Sequence, residues 1–179
     1  MKKAIFLDRD GTINEDVGDL FSEDNLVFIP RAIEALKSLQ QRFLLFIVTN
    51  QSGIGKNIFN EKDYYLFNKS FQSILRKEGV KIIKTYHCPH KKEDQCICHK
   101  PKTYFMKQAE KEYGIDLTGS YVVGDHPHDI EMGACAGAKT VYLLSGHGNK
   151  HRNEILIQPD HTSEDLYGAT KWIMKMEEK

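Results

Sequence analysis

Runs of apolar residues with the length of buried strands recur along the chain, and segments with helical spacing lie between them. The runs predict strands over residues 4–7, 44–49, 82–86, 121–124 and 140–144. Most of them are apolar throughout and do not alternate with polar residues. This pattern is typical of strands buried on both faces of a parallel sheet.

The intervening segments predict helices. Pro30 can open the first of them, since Ile33, Leu36 and Leu39 follow at a spacing of three. Residues 61–77 carry aromatic and aliphatic side chains on one helical face, and further helices are predicted over 102–113, after Asp129 and over 165–176. Residues 145–154, SGHGNKHRNE, resemble a flexible loop. The alternation of strands and helices predicts one three-layer α/β domain over residues 1–179, with a mostly parallel sheet.

Composition narrows the classes of partner. The 179 residues hold 25 Lys and Arg against 25 Asp and Glu, so no basic field favours binding to nucleic acid. The N-terminal stretch MKKAIFLDRD has four apolar residues before its first aspartate, too few for a signal peptide or a membrane span. We expect a cytoplasmic monomer without nucleic-acid or membrane partners.

Polar side chains stand where the predicted strands end. Asp8 and Asp10 follow the first strand, Thr49 and Asn50 end the second, and Asp125 with Asp129 follows the fourth. Any one of them alone is more simply explained as a helix cap or a turn residue. Because the carboxyl ends of parallel strands meet at one edge, the set together predicts a shared binding site there.

Carboxylates crowded at one edge stay ionised together only with a cation between them, and oxygen ligands of this kind favour Mg²⁺, which often shares its ligands with a phosphate. The implied substrate is a phosphate ester. Asp8, nearest the strand, is the candidate nucleophile, and Asp10 can protonate the leaving alkoxide and later deprotonate water. Thr49, Asn50 and Lys100 are candidate donors to the phosphoryl group.

Four ordered motifs carry a family resemblance: DRDGT after the first strand, TNQSG after the second, the lysine of HKP, and GDHPHD after a later strand. Together they resemble the signatures of the haloacid dehalogenase superfamily phosphatases, over nearly the whole chain. The resemblance implies a Rossmann-like domain with Asp8 as nucleophile, Asp10 as acid/base and Lys100 as the neutralising cation. It also implies that Asp8, Asp125 and the backbone carbonyl of Asp10 hold Mg²⁺, with Asp129 in support.

A second metal site is predicted by the stretch YHCPHKKEDQCICHKP. Its spacing, Cys88-x-His90-x5-Cys96-x-Cys98, supplies three thiolates and an imidazole, which suits a closed tetrahedral zinc site of structural role. The alternative is a surface loop with incidental cysteines. The loop over residues 88–98 is an insertion in the domain that ends two residues before Lys100, so we expect zinc to fix the position of that lysine. The fourth cysteine, Cys135, lies in GACAGA and receives no chemical role.

This loop, with DRDGTIN and TNQSGI, resembles the D-glycero-D-manno-heptose 1,7-bisphosphate phosphatases and the similar histidinol-phosphate phosphatases. The TNQSGIG form and the SGHG stretch lean towards the heptose enzymes, whose reaction would be removal of the 7-phosphate from a sugar bisphosphate. The resemblance implies a substrate pocket formed by Asp16, Val17, Gly18, Asp19, Thr49, Asn50, Gln51, Ser52, His99, Lys100 and His126.

Two features depart from the heptose enzymes. His99 and His126 stand where those enzymes carry an arginine and a lysine or arginine, and Asp19 replaces an aromatic residue. A neutral histidine holds a distal phosphate less firmly than a fixed cation. Histidinol phosphate is therefore the alternative substrate. Too little chain lies between the motifs for a large cap domain, so we expect an open site. The alternative from another class is a non-catalytic, zinc-organised phosphate-binding domain.

Overall fold

A six-stranded sheet with helices on both faces forms the protein in this computed structural model, which describes residues 1–178. All neighbouring strands are parallel, in the order β3-β2-β1-β4-β5-β6. The strands are β1 (Ala4–Leu7), β2 (Leu44–Asn50), β3 (Ile82–Cys88), β4 (Tyr121–Gly124), β5 (Lys139–Leu143) and β6 (His161–Ser163). β1 therefore lies in the interior of the sheet, between β2 and β4. The predicted three-layer α/β architecture with a parallel sheet is confirmed.

Helices connect the strands and cover the sheet. They are α1 (Ala32–Leu39), α2 (Ser52–Gly55), α3 (Glu61–Lys77), α4 (Tyr104–Tyr113), α5 (Pro127–Ala136), α6 (Gly148–His151) and α7 (Leu166–Met176). Short 3-10 turns lie at Glu23–Asn25, Lys92–Asp94 and Arg152–Glu154. No helix within residues 1–178 has the length and apolar character needed to cross a membrane.

The sheet buries side chains on both faces. Ile5 and Leu7 of β1 belong to one core, which they share with α1, α3 and α7. Phe6 belongs to the opposite core, which it shares with α4, α5 and the cysteine loop. Because successive side chains along a strand point to opposite faces, this arrangement requires apolar residues at every position of β1. It is the physical reason for the unbroken apolar runs.

Three predicted helix starts are wrong, and one of them is that of α4, which begins at Tyr104 and not at residue 102. α1 begins at Ala32, not at Pro30, because Arg31 adopts the left-handed conformation with φ 64° as the N-cap. α5 begins at Pro127, before Asp129, since proline has the backbone angle and the missing N–H that suit the first turn of a helix. Asp129 thus lies in the first turn, and its side chain accepts a hydrogen bond from the backbone N–H of His126.

The C-terminal region holds more regular structure than its sequence predicts. The segment 145–154, predicted as a flexible loop, forms α6 and a 3-10 turn. β6 was not predicted, because its three residues are His, Thr and Ser, without an apolar run. As the edge strand it needs no apolar side chain on both faces.

Candidate active site

The carboxyl ends of β1 and β4 bring acidic side chains from distant parts of the chain together. Asp8 follows β1, and Asp125 follows β4. Lys100, on the segment before α4, lies between acidic groups: its Nζ is 2.9 Å from Oδ2 of Asp8 and 2.7 Å from Oδ1 of Asp129. The side chains of Lys100 and Asp129 are almost fully buried. Buried charges are stable only when they are closely paired, and Lys100 lies within hydrogen-bond distance of both carboxylates.

Burial and neighbouring like charges disfavour the ionised form of the carboxylic acids in this cluster. Burial raises the pKa of Asp8 well above its usual range, although Lys100 opposes the shift. Burial and the neighbouring Asp129 raise the pKa of Asp125 to about 7. For Lys100, burial acts to lower the pKa, but Asp129 and Asp8 outweigh it and raise it above its usual value. The lysine is thus charged, and its single charge does not balance three carboxylates.

The remaining contacts of Asp125 hold its carboxylate in place. Thr12 donates from its hydroxyl to Oδ1 at 3.3 Å, and the backbone N–H of His147 donates to Oδ2 at 2.8 Å. Gly11 has φ 77°, and a Cβ there would overlap this carboxylate, so glycine is required on both counts. Oxygens of Asp8, Asp125 and Asp129 lie within 4.8 Å of one another. Three hard oxygen donors with excess negative charge fit a Mg²⁺ ion.

Asp10 lies two residues after Asp8, but its side chain belongs to a different set of contacts. Its carboxylate accepts hydrogen bonds from Arg9, Asn14 and Gln51. It is not among the three carboxylates that could share a metal. The resemblance assigned Asp10 to Mg²⁺ through its backbone carbonyl only, and this role stays a prediction.

Asn50 supports Lys100. Its Oδ1 accepts a hydrogen bond from the backbone N–H of Lys100 at 3.0 Å, and its Nδ2 lies 3.2 Å from Nδ1 of His99. The amide predicted to contact the phosphoryl group is therefore engaged with the segment that carries the lysine. Thr49, by contrast, is buried at the pocket edge, with its hydroxyl 2.9 Å from Nε2 of Gln51.

Three cysteines and a histidine form a closed cluster between β3 and α4. The sulfurs are 3.5 Å apart for Cys88 and Cys96, 3.6 Å for Cys96 and Cys98, and 3.2 Å for Cys98 and Cys88. Nδ1 of His90 lies 3.7 Å from Cys88 Sγ and 3.5 Å from Cys98 Sγ. A tetrahedron with Zn–S bonds of about 2.3 Å places its sulfurs about 3.8 Å apart. The four donors thus fit zinc closely, and none of the cysteines forms a disulfide.

The cysteine loop packs on two neighbouring segments of the chain. Lys102 donates from Nζ to the backbone carbonyls of Gln95, at 3.1 Å, and Cys96, which ties the loop to the start of α4. On the other side, a Cβ on Gly55 of α2 would lie 2.9 Å from the backbone oxygen of Pro89, so α2 packs directly on the loop. The loop therefore contacts both α2 and the segment that follows Lys100.

A cleft of about 500 Å³ opens over these groups. It is lined by Asp8, Asp10, Asp16, Gly18, Asp19, Thr49, Asn50, Gln51, Ser52, Lys56, His99, Lys100, Asp125, His126, His128 and His147. Every residue predicted for catalysis or substrate binding lines it except Val17, whose side chain is exposed outside. Asp129 is buried beneath it. Lys56, His128 and His147 were not predicted. The place of His147 in SGHG, after the last long predicted strand, could have indicated that it lines the site. Nothing in the sequence indicated this for Lys56.

Comparisons with known proteins identify the family. A model of the HAD-hydrolase-like family matches residues 97–169. D-glycero-alpha-D-manno-heptose-1,7-bisphosphate 7-phosphatase of Photorhabdus laumondii is 33% identical over 180 residues, with 96% of each chain covered. The corresponding beta-anomer enzyme of Haemophilus influenzae is 40% identical over 151 residues, with 80% of this chain and 82% of that one covered. The chain belongs to the heptose bisphosphate phosphatase family. It is a phosphoric monoester hydrolase of the HAD type.

A solved member of the heptose bisphosphate phosphatase family has the same fold. The D,D-heptose 1,7-bisphosphate phosphatase from B. bronchiseptica, complexed with magnesium and phosphate, superposes with a TM-score of 0.89 at 28% identity. The match covers 97% of this chain and 99% of that one. The resemblance first carried by four short motifs thus extends over the whole fold.

Two histidines of the cleft, His99 and His126, carry lowered pKa values. Burial, reinforced by His128, lowers the pKa of His126 to about 4, and burial lowers the pKa of His99. Both imidazoles are therefore neutral at neutral pH. Asp16 Oδ2 lies 3.2 Å from Nδ1 of His147, so the loops after β1 and β5 meet at the cleft.

Proposed function

We propose that this enzyme removes the 7-phosphate of D-glycero-D-manno-heptose 1,7-bisphosphate, a small phosphorylated sugar, through an aspartyl-phosphate intermediate on Asp8. The observation that carries the proposal is the placement of Asp8 against Lys100 and beside Asp125 and Asp129, at the floor of a polar cleft. The names of the relatives support the choice of sugar.

Two displacements at phosphorus make up the reaction. A carboxylate oxygen of Asp8 attacks the phosphorus, and the bond from phosphorus to the sugar oxygen breaks. Asp10 gives its proton to the departing oxygen and then takes a proton from the water that attacks the aspartyl phosphate. Phosphate leaves and Asp8 is regenerated. Lys100, held 2.9 Å from Asp8, faces the charge that develops on the transferring group.

Two cofactors fit the donor sets. Asp8, Asp125 and the backbone carbonyl of Asp10 would hold Mg²⁺, with Asp129 supporting them through Lys100. Bound there, Mg²⁺ neutralises phosphate charge and favours the ionised form of the carboxylates. The cysteine loop would hold zinc with all four positions filled by protein, so its role is structural.

The substrate is tested by the specificity constant with Mg²⁺ on the α and β anomers of heptose 1,7-bisphosphate, beside histidinol phosphate. We expect at least about a hundredfold preference for one heptose anomer, about 2.7 kcal/mol of differential transition-state binding. Asp8→Asn supplies the blank. Comparable weak turnover of all three esters would contradict the sugar and leave the phosphatase assignment intact. A preference for histidinol phosphate would identify the neutral histidines of the outer pocket as the feature that sets specificity.

Lys56 is the residue best placed to hold the phosphate that is not cleaved. Among the lining residues within 1–178, Lys100 is paired with Asp8 and Asp129, whereas Lys56 is exposed and forms no ion pair. Asp16 and Asp19 also line the cleft and add negative charge to it. Lys56 is therefore the one lysine among these lining residues that is free to contact a second phosphate.

We expect Lys56→Met to lower the preference for the bisphosphate over a phosphate monoester by about tenfold, mainly through KM, because an exposed charge pair contributes modestly. Steady-state kinetics on heptose 1,7-bisphosphate and heptose 7-phosphate measures this ratio. Lys62→Met, on the exposed side of α3 and outside the cleft, is the matched control. An unchanged ratio in Lys56→Met would show that the second phosphate binds elsewhere.

A further inference from the structure

The carboxylate of Asp10 is held on both of its oxygens. Arg9 donates from Nε to both oxygens at 3.1 Å and from Nη2 to Oδ2 at 2.8 Å. Asn14 donates from Nδ2 to Oδ1 at 2.9 Å, and Gln51 donates from Nε2 to Oδ2 at 3.1 Å. The proposed acid/base thus accepts hydrogen bonds on both carboxylate oxygens. The same group must also carry a proton during the reaction.

Of the three partners, Gln51 is the one that also contacts the phosphate-binding edge. Its Nε2 lies 2.9 Å from the hydroxyl oxygen of Thr49, so a single amide spans Thr49 and Asp10. The side chain is buried, and the backbone N–H of Gln51 donates to the carbonyl of Cys88 at 2.8 Å. Its position is therefore fixed from both ends.

The partners differ in how they can respond when Asp10 takes up a proton. A guanidinium carries donors only, and Arg9 is fully buried against the ring of Phe67, with its Cζ 5.0 Å from the ring centroid. Asn14 has a second bond from Nδ2 to the carbonyl of Glu15 at 2.9 Å, which a rotation of its amide would break.

Gln51 has no such restriction. When its amide rotates by half a turn, Oε1 takes the place of Nε2 and can accept from a protonated Asp10. The hydroxyl of Thr49 can then donate where it had accepted, because a hydroxyl does both. Gln51 can therefore keep its two contacts in either protonation state of Asp10.

We propose that Gln51 is the positioning residue of the acid/base: its amide holds the carboxyl of Asp10 in one orientation and joins it to Thr49. The inference rests on the proposed function, in which Asp10 protonates the leaving oxygen. It assigns the Gln51 amide to Asp10, whereas the family resemblance assigns this residue to the substrate pocket.

The test separates positioning of a proton donor from general support of the pocket. An alkoxide leaving group needs a proton, whereas p-nitrophenolate leaves without one. In single turnovers with Mg²⁺ and excess enzyme, we expect Gln51→Met to slow alcohol release from heptose 1,7-bisphosphate, or from histidinol phosphate if the wild type prefers it, by 10- to 100-fold. The loss on p-nitrophenyl phosphate should be at least tenfold smaller, with KM for the alkyl ester changing less than about threefold.

Gln72→Met is the matched control, because Gln72 makes the same kind of bond outside the site, from Nε2 to the hydroxyl of Thr85 at 3.0 Å. Equal losses on the alkyl and nitrophenyl esters, or an equal loss in Gln72→Met, would overturn the inference. If Gln51→Met does not fold, as measured by its melting curve, Gln51→Asn keeps the amide but shortens its reach, and the same criterion applies. A wild type that hydrolyses none of the esters would instead overturn the proposed function itself, and this inference with it.

Discussion

Asp8→Asn is expected to lower kcat by about a thousandfold or more, the largest effect of any single substitution in this chain. The amide nitrogen and oxygen that replace the carboxylate cannot form the aspartyl phosphate. Asparagine keeps the size of the side chain, so the fold and the neighbouring Asp125 should be undisturbed. It also removes one of the two carboxylates that contact Lys100. Binding of inorganic phosphate with Mg²⁺ should therefore persist while turnover is lost.

Phosphate release and isothermal calorimetry measure these two properties on the same preparation. Asp24→Asn is the matched control, since Asp24 is exposed and lies outside the cleft. Mass spectrometry of quenched wild-type reactions should find a phosphoryl group on the peptide that contains Asp8 and none in Asp8→Asn. Retention of more than a tenth of wild-type kcat in Asp8→Asn would assign the nucleophile to another group. A metal-loaded wild type without turnover would favour the non-catalytic binding domain.

Cys96→Ser is expected to reduce bound zinc to below about a tenth of an equivalent and to lower Tm by about 10 °C or more. Cys96 is only partly buried, so the change leaves little cavity and tests mainly the metal. Its thiol is also prepared for a metal. Burial acts to raise the pKa, but hydrogen bonds from the backbone of Cys98, the side chain of Cys88 and the backbone of His99 together outweigh it, and the pKa falls to about 7. The thiolate that zinc binds therefore forms readily.

Cys135→Ser is the matched control, because Cys135 is an exposed cysteine outside the cluster. Zinc content by atomic absorption and Tm by calorimetry should be unchanged in the control. In Cys96→Ser, kcat should fall as well, since Lys100 follows the loop directly. If Cys96→Ser kept the zinc content and Tm of the wild type, the structural role of zinc in the loop would be contradicted.

Most of the fold could be predicted because strands that are buried on both faces of the sheet require unbroken apolar runs, which are easily recognised in the sequence. α3 was predicted over residues 61–77, and the structure has Glu61–Lys77, where Asn60 and Asp63 form a capping box. The last helix was predicted from Asp165, which is the N-cap of Leu166–Met176. β6 escaped prediction because its short polar sequence carries no such mark.

The inner half of the site could be predicted for a related reason. Residues such as Asp8 and Asp125 stand directly after buried strands, and the parallel order places those strand ends side by side. The outer half depends on how loops fold back over the cleft. Lys56 reaches the cleft because α2 packs on the cysteine loop, and His147 because α6 turns its loop towards Asp16. Neither contact follows from spacing along the chain.

The place of β1 in the sheet has a consequence for the order in which the protein matures. β1 is made first, yet one of its two neighbours, β4, is made only after the whole cysteine loop has been synthesised. On the ribosome, Cys88 and Cys98 therefore emerge before Asp125, and the loop can take up its zinc while Asp8 still has no carboxylate opposite it. With zinc in the loop, such a nascent chain would hold a metal before its catalytic carboxylates meet. The pairing of β1 with β4 is non-local, and because such pairing is slow, Asp8 and Asp125 meet late in folding.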